Sequence, residues 1–252
     1  MIVFTCEDEF EAMMTCIYDA WSARLGHSNV RLMTEPIGNL ELFCQYHHVE
    51  KDAEKARKVI RSIQSKISLE AYQQVYRASL HFQNQKLDAI YRFLVLGFAS
   101  GPSVTQMLGH PYVAQIFELN RKVSNESHQF REFIRFSRLE NQILFSVIEP
   151  KCQVLTLVAP HFADRMPSEN WMIIDKLRKQ AVVHPADRPF FLTSVSQEEL
   201  SHMDSLKESG DSYTQLWKAF FESVAVEARA NYRCQRNLLP LWYRKNMTEF
   251  TG

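Results

Sequence analysis

The sequence predicts an α+β fold in which a helical N-terminal half packs with a mainly antiparallel sheet and a C-terminal helix. Two observations carry this expectation. Apolar residues recur at three-and-four spacing as far as Phe130, and from Phe133 the period changes to two before helical spacing returns near Tyr213. A third observation, 46% hydrophobic residues in a chain of 252, supplies enough apolar side chains for a substantial core. The expected organisation is a single α+β domain over 1–252, with a helical part at 1–110 and a part at 111–252 holding the sheet and C-terminal helix as its subdivision.

Taken in order, Ile2 to Thr5 reads as a short strand, followed by a helix on which Phe10, Met14, Ile17 and Trp21 form one stripe that stops before Gly26. Leu40 to Val49 is apolar and aromatic enough for a second strand. From Asp52 to Lys66 the spacing puts Ala56, Ile60, Ile63 and Ile67 on a core-facing stripe. The same stretch carries Lys51, Lys55, Arg57, Lys58, Arg61 and Lys66 against only Asp52 and Glu54, a local positive excess that reads as a solvated face, with phosphate contact as the alternative. Leu69–His81 and Leu87–Phe98 are helical, and Gly101-Pro102 precedes a short helical piece ending at Gly109. Pro111 opens the next helix at its first turn, where the missing amide hydrogen costs nothing. On it Leu119, Val123, Glu126 and Phe130 share one side, so the Glu126 carboxylate sits among apolar neighbours and needs a cation such as Arg131, Arg135 or Arg165 to answer it.

The second half reads as sheet. Phe133, Arg135 and Ser137 against Ile134 and Phe136 predict a strand, Glu140-Asn141 a turn, and Ile143, Phe145 and Val147 the returning strand of a hairpin. Glu149 continues that face just before Pro150. Val154 to Arg165 is helical, with His161 and Arg165 four apart on one face, and Pro160 predicts a kink or the start of a fresh turn. Trp171–Asp175, Ala181–Val183 and Phe190–Thr193 supply further strands. Ser194 to Asp211 is polar and reads as a surface excursion, with a helical turn as an option, rather than core. Ser212-Tyr213-Thr214-Gln215 fits a capping box, after which Tyr213, Trp217, Phe220 and Val224 define a buried helical stripe.

Composition narrows the function classes. A formal net charge of zero excludes a uniformly basic coat, so any anion-binding surface is local. The five cysteines are odd in number and dispersed without a C-x-x-C pair, which argues for free thiols in a reducing, cytoplasmic setting and against a zinc ribbon or disulfide framework. No signal peptide is expected at the start, and the longest apolar run, Phe93 to Ala99, is far too short for a bilayer, so no membrane partner is expected. Nine histidines include the adjacent His47-His48, but neighbours on a strand point oppositely, and neither a metal nor another cofactor is expected.

Two groups of residues carry candidate chemistry. Between Asn120 and Asp175 the chain interleaves Glu126, His128, Arg131, Arg135, Glu149, His161, Arg165 and Asp175. Carboxylates can act as general acid or base, imidazoles can move protons, and guanidiniums can clamp a phosphate or developing anion, which makes Glu126, His128, Arg135, Glu149, His161, Arg165 and Asp175 the catalytic candidates. No signature names a reaction, and whether the protein is an enzyme stays open. In the tail, Arg229, Arg233, Arg236, Arg244 and Lys245 alternate with Tyr232, Trp242 and Tyr243, pairing cations with flat stacking surfaces as a nucleic-acid interface requires. Intramolecular packing is the alternative use of the same pairs.

Several pieces occur together: Val123-x-x-Glu126-x-His128, Phe133-x-Arg135-Phe136, Glu149-Pro150, Pro160-His161-Phe162-x-x-Arg165, Trp171-x-Ile173-x-Asp175, Leu216-Trp217-Lys218 and Pro240-x-x-Tyr243. With these motifs the chain resembles a bacterial family of DNA repair or DNA metabolism proteins. That family is a domain of unknown function linked to a radical S-adenosylmethionine (radical SAM) protein and, in some relatives, fused to a uracil-DNA-glycosylase-like module. The resemblance implies a DNA-binding component with DNA and the radical SAM protein as partners. Lacking a C-x-x-x-C-x-x-C run, the chain would be the companion rather than the iron–sulfur protein itself. Two other readings stand beside it: an enzyme using Glu126 or Glu149, His128 or His161, and Arg135 or Arg165 on a nucleic-acid substrate, and an adaptor that docks the radical SAM enzyme through Tyr232, Trp242 and Tyr243. Convergence of Glu126, Arg135, His161 and Arg165 in one cleft is the feature that weighs most between them.

Overall fold

The computed structural model describes residues 1–139, 142–201, 203, 212–224 and 231–250, and helices and sheets are mixed along it, as an α+β fold requires. It divides into two compact units, one holding residues 1–125 with 151–153, the other holding 126–150 and 154–252.

In the first unit β1 (Ile2–Cys6) is the middle strand of a parallel three-stranded sheet, order β2-β1-β3, with β2 at Val30–Thr34 and β3 at Gln45–His48. A parallel neighbour needs a crossover, and α1 (Phe10–Ser22) provides it between β1 and β2. β2 is absent from the sequence reading although Val30, Leu32 and Thr34 alternate inward against Arg31 and Met33. The predicted strand from Leu40 contracts to Gln45–His48, because Leu40, Leu42 and Phe43 face solvent instead of pairing.

Asp52 starts α2 (Ala53–Lys66) by accepting the amide hydrogens of Glu54 and Lys55 at 2.8 and 3.1 Å, and Ser68 does the same for α3 (Leu69–Ser79) through the Ala71 amide at 3.0 Å. Helix α4 (Lys86–Ser100) ends at Gly101, whose φ of 68° belongs to the left-handed region. Gly97 lets α4 approach the end of α2: a Cβ there would lie 2.8 Å from Ile67 Cδ1. Beyond it Gly101–Gln106 is a 3-10 turn, shorter than the piece expected to reach Gly109. The core gathers Met14 and Ile17 of α1, Leu32 of β2, Ile63 of α2 and Ile90 and Phe93 of α4. Lys86 is buried within this unit, ion-paired to Asp8 and donating to the His81 carbonyl at 2.6 Å. Burial, aided by Lys122 and Lys86, pushes the His81 imidazole down to about 4.

Helix α5 (Pro111–Phe133) begins at the proline as expected. It continues through Phe133, so the residues read as a strand from Phe133 form one only at β4 (Ser137–Arg138), paired antiparallel with β5 (Leu144–Ile148). The helical period outlasts the alternating one because Phe130 and Phe133 both pack on the Tyr243 ring, with centroids at 5.0 and 5.7 Å. The expected Glu140-Asn141 turn lies outside the described residues.

The second unit's sheet runs β4-β5-β6-β7-β8, with β6 at Trp171–Asp175, β7 at Gln180–His184 and β8 at Phe191–Ser194. Only β5 and β6 are parallel, joined through α6 (Leu155–Arg165), so the sheet is mainly antiparallel. α6 continues through Pro160 without a break.

Two expectations here are corrected. Ser196 and Glu199 form a capping box, the Ser196 amide donating to Glu199 at 2.7 Å and the Glu199 amide to Ser196 Oγ at 3.2 Å. The helical turn they start buries Leu200 against Phe145, Val147, Ile174 and Ala181, so the stretch read as surface excursion contributes to the core. Conversely, Trp217, Phe220 and Val224 of α7 (Ser212–Ser223) and the residue following it are exposed rather than buried. The side chains of Ser212, Tyr213 and Thr214, with the expected cap, lie outside the described residues. The chain closes with α8 (Tyr232–Leu238), α9 (Leu241–Arg244) and a 3-10 turn at Thr248–Phe250. Among the described residues no helix is long and apolar enough to cross a membrane.

Candidate functional site

The second unit contains a cleft of about 670 Å³ between the end of α5, the segment that follows it, and α6. α5 contributes His128, Arg131 and Glu132, the segment contributes Ile134, Arg135 and Phe136, and α6 contributes His161, Phe162 and Arg165. Spacing explains the lining: His128 and Glu132, and likewise His161 and Arg165, are four apart and share a helix face. Underneath, Phe136 and Phe162 meet edge to face at 5.2 Å and both rest on buried Trp171, which stacks on His184 at 4.8 Å. This aromatic floor holds the two walls in register.

The cleft is rich in cations. Three guanidinium groups and two imidazoles line it against one carboxylate, Glu132. Glu132 lies 3.2 Å from His128 Nε2. Arg131 donates to the Leu157 carbonyl at 2.6 Å, a bond that ties α5 to α6, and has no carboxylate partner among the described residues. Arg165, in the last turn of α6, is exposed and has no hydrogen-bond or ion-pair partner among the described residues.

Arg135 is held differently. Its guanidinium donates to the carbonyls of Glu132 and Ile134 at 2.9 and 3.2 Å and to Glu249 Oε1 at 2.8 Å, and it lies 5.8 Å from the Trp217 ring centre. Glu249 also accepts the Trp217 indole N–H at 3.1 Å. Burial pushes the Glu249 carboxyl up, yet its own backbone amide and Arg135 outweigh that and leave it below its ordinary value.

Among the catalytic candidates, then, His128, Arg135, His161 and Arg165 meet in one cleft and three carboxylates do not. Glu126 is buried on the apolar side of α5 and does not line it. Glu149, past the end of β5, pairs with Lys245. Asp175 serves the turn after β6: it accepts the amides of Leu177 and Arg178 at 3.1 and 3.2 Å and pairs with the Arg178 guanidinium at 2.9 Å. Burial pushes its carboxyl up, partly offset by Arg178.

The tail candidates also separate. Tyr232, Arg233 and Arg236 are exposed on α8. Tyr243 is buried under Phe130 and Phe133, so its ring has no free face to stack on a base. Arg244 donates to the Leu239 carbonyl at 3.2 Å and lies 4.9 Å from the Phe250 ring centre. Trp242 donates to the Glu149 carbonyl at 2.9 Å while Lys245 covers its ring at 4.0 Å. Trp242, Tyr243 and Arg244 are thus packed within the protein. Arg229 lies outside the described residues. The sequence reading missed the functional weight of Glu132, the Phe136–Phe162 floor and Glu249. The aromatic pair was visible as apolar spacing, whereas nothing local to Glu249 announces a partner 114 residues away.

An α+β protein with a cationic, aromatic-floored cleft and few carboxylates is the class these observations define. The model of a domain of unknown function, DUF4130, matches residues 84–249, more than half of the chain, and the chain belongs to that family. No curated protein matches it. The matched span includes the cleft and the closing segment and leaves β1 to α3 outside.

Proposed function

We propose that this protein binds nucleic acid through the second unit's cleft, as a cytoplasmic component of DNA repair or DNA metabolism that acts with a radical SAM protein. The observation that carries the binding reading is the cleft's charge: Arg131 and Arg165 face it without carboxylate partners among the described residues, beside His161 and over an aromatic floor. Phosphates fit such a surface, because guanidinium groups give charge-assisted, directional hydrogen bonds. Tyr232, Arg233 and Arg236 on α8 supply a second exposed cationic surface of the same chemistry.

DNA rather than another polyanion, and the radical SAM companion, rest on the motif resemblance of the sequence. Carboxylate-based catalysis has less support, since Glu126 is buried and does not line the cleft, and Glu149 and Asp175 are paired outside it. A labelled DNA oligonucleotide titrated with the full chain tests the reading. Binding should occur and weaken steeply as salt rises, because neutralised phosphates release counterions. No binding at low salt, or binding indifferent to salt, refutes it.

A further inference from the structure

A separate cleft of about 360 Å³ lies in the first unit, between α1 and α2 and closed by Phe98 of α4. Ile17 and Val59 line its apolar base, Tyr18, Trp21 and Phe98 its aromatic walls, and Lys58 and Lys66 its charged edge. The charge is unanswered for a reason that can be traced along α2. Lys51 is paired with Glu9 at 3.0 Å and Lys55 with Asp19 at 2.8 Å, so those two carboxylates are taken. Lys58 and Lys66 have no acidic partner among the described residues, and Lys58 Nζ lies only 6.0 Å from the Tyr18 ring centre. Trp21 stands edge to face with Phe98 at 5.3 Å, so the wall is built from interlocked rings rather than from single loose side chains.

We propose that this cleft binds a small planar aromatic anion. Its volume sits at the lower end of the range of about 300–1,000 Å³ for small-molecule sites, enough for one ring system with an acidic group. Ring faces and the apolar base would take the flat body, and the two ammonium groups the negative charge. A free nucleotide and a non-nucleotide aryl acid share this chemistry. The site is independent of the cleft in the second unit, and most of its lining precedes residue 84, where the family match begins.

The test uses the full chain labelled at the tryptophan indole N–H groups, with the Trp21 resonance assigned by Trp21→Phe. Four probes are titrated by NMR: 2-naphthoate, AMP, uncharged 2-naphthylmethanol and inorganic phosphate. At least one aryl anion should shift the Trp21 signal with a Kd below about 1 mM and bind about tenfold more tightly than either naphthylmethanol or phosphate. Lys58→Ala with Lys66→Ala should erase that advantage, while Lys58→Arg with Lys66→Arg should keep it. Binding of AMP assigns a nucleotide, and binding of naphthoate alone assigns an aryl acid of another kind. If neither anion shifts Trp21, if the uncharged probe binds as well, or if the alanine pair leaves binding intact, the proposal is overturned.

Discussion

Two cationic, aromatic regions of the second unit use the same residue types to opposite ends. In the cleft, Arg131 and Arg165 share the lining with Phe136 and Phe162, and neither has a carboxylate partner among the described residues. In the closing segment, Arg244 lies against Phe250, Lys245 pairs with Glu149 over Trp242, and Tyr243 is sealed under two phenylalanines. Composition alone cannot separate the two. What separates them is whether the cation is left open to solvent. Arg131 gives one bond to the Leu157 carbonyl but stays exposed, whereas Arg244 is half-buried against Phe250 and Lys245 is paired with Glu149. A phosphate must compete with those contacts.

The sharpest way to break this contrast is at Tyr243. Removing its ring in Tyr243→Ala should destabilise the protein by about 3 kcal/mol in urea unfolding, as for other buried aromatic truncations, while Tyr232→Ala on exposed α8 should stay within about 0.5 kcal/mol. A small loss at Tyr243 accompanied by weakened DNA binding would return that ring to the interface.

Glu249 is the joint between the two regions, and Glu249→Gln should cost about 1–3 kcal/mol by leaving Arg135 without its charged acceptor. The pH dependence has a definite sign. Because the folded-state carboxyl lies below its ordinary value, its contribution is complete above the unfolded value of about 4.3 and is lost as pH falls below that through the folded one. Acid unfolding of wild type should therefore show a loss in that window which Glu249→Gln lacks, and identical acid limbs would contradict the assignment.

Local periodicity made much of the fold legible. The α1, α2 and α5 stripes, the Asp52 start of α2, the Pro111 start of α5 and the Trp171–Asp175 strand all follow from neighbours within a few residues. β2 was missed because its alternation is short and polar enough to pass for a loop, and its parallel pairing to β1 is a long-range fact. Leu200 was missed although Ser196-x-x-Glu199 announces a helix start, since polar composition outweighed one apolar position. At the site, helical spacing brought His128, His161 and Arg165 within reach of the reading. The exclusion of Glu126, Glu149 and Asp175 was invisible, because it depends on where folding buries Glu126 and on the cations that Glu149 and Asp175 meet.

A smaller effect sharpens the contrast from the cleft side. Arg165→Ala should leave stability within about 0.5 kcal/mol, as expected for an exposed side chain with no partner among the described residues, and should lower the salt slope of DNA binding by about 1. Arg244→Ala should leave that slope unchanged, because its guanidinium is half-buried and lies against the Phe250 ring rather than open to solvent.

The most direct measurement is the slope of log affinity against log salt for one DNA oligonucleotide, compared between wild type, Arg131→Ala with Arg165→Ala, and Arg244→Ala. The cleft pair should reduce the slope by about 2 with Arg244→Ala matching wild type. A cleft pair that binds with the wild-type slope, or an Arg244→Ala protein that loses as much as the pair, would contradict the assignment of phosphate binding to the cleft.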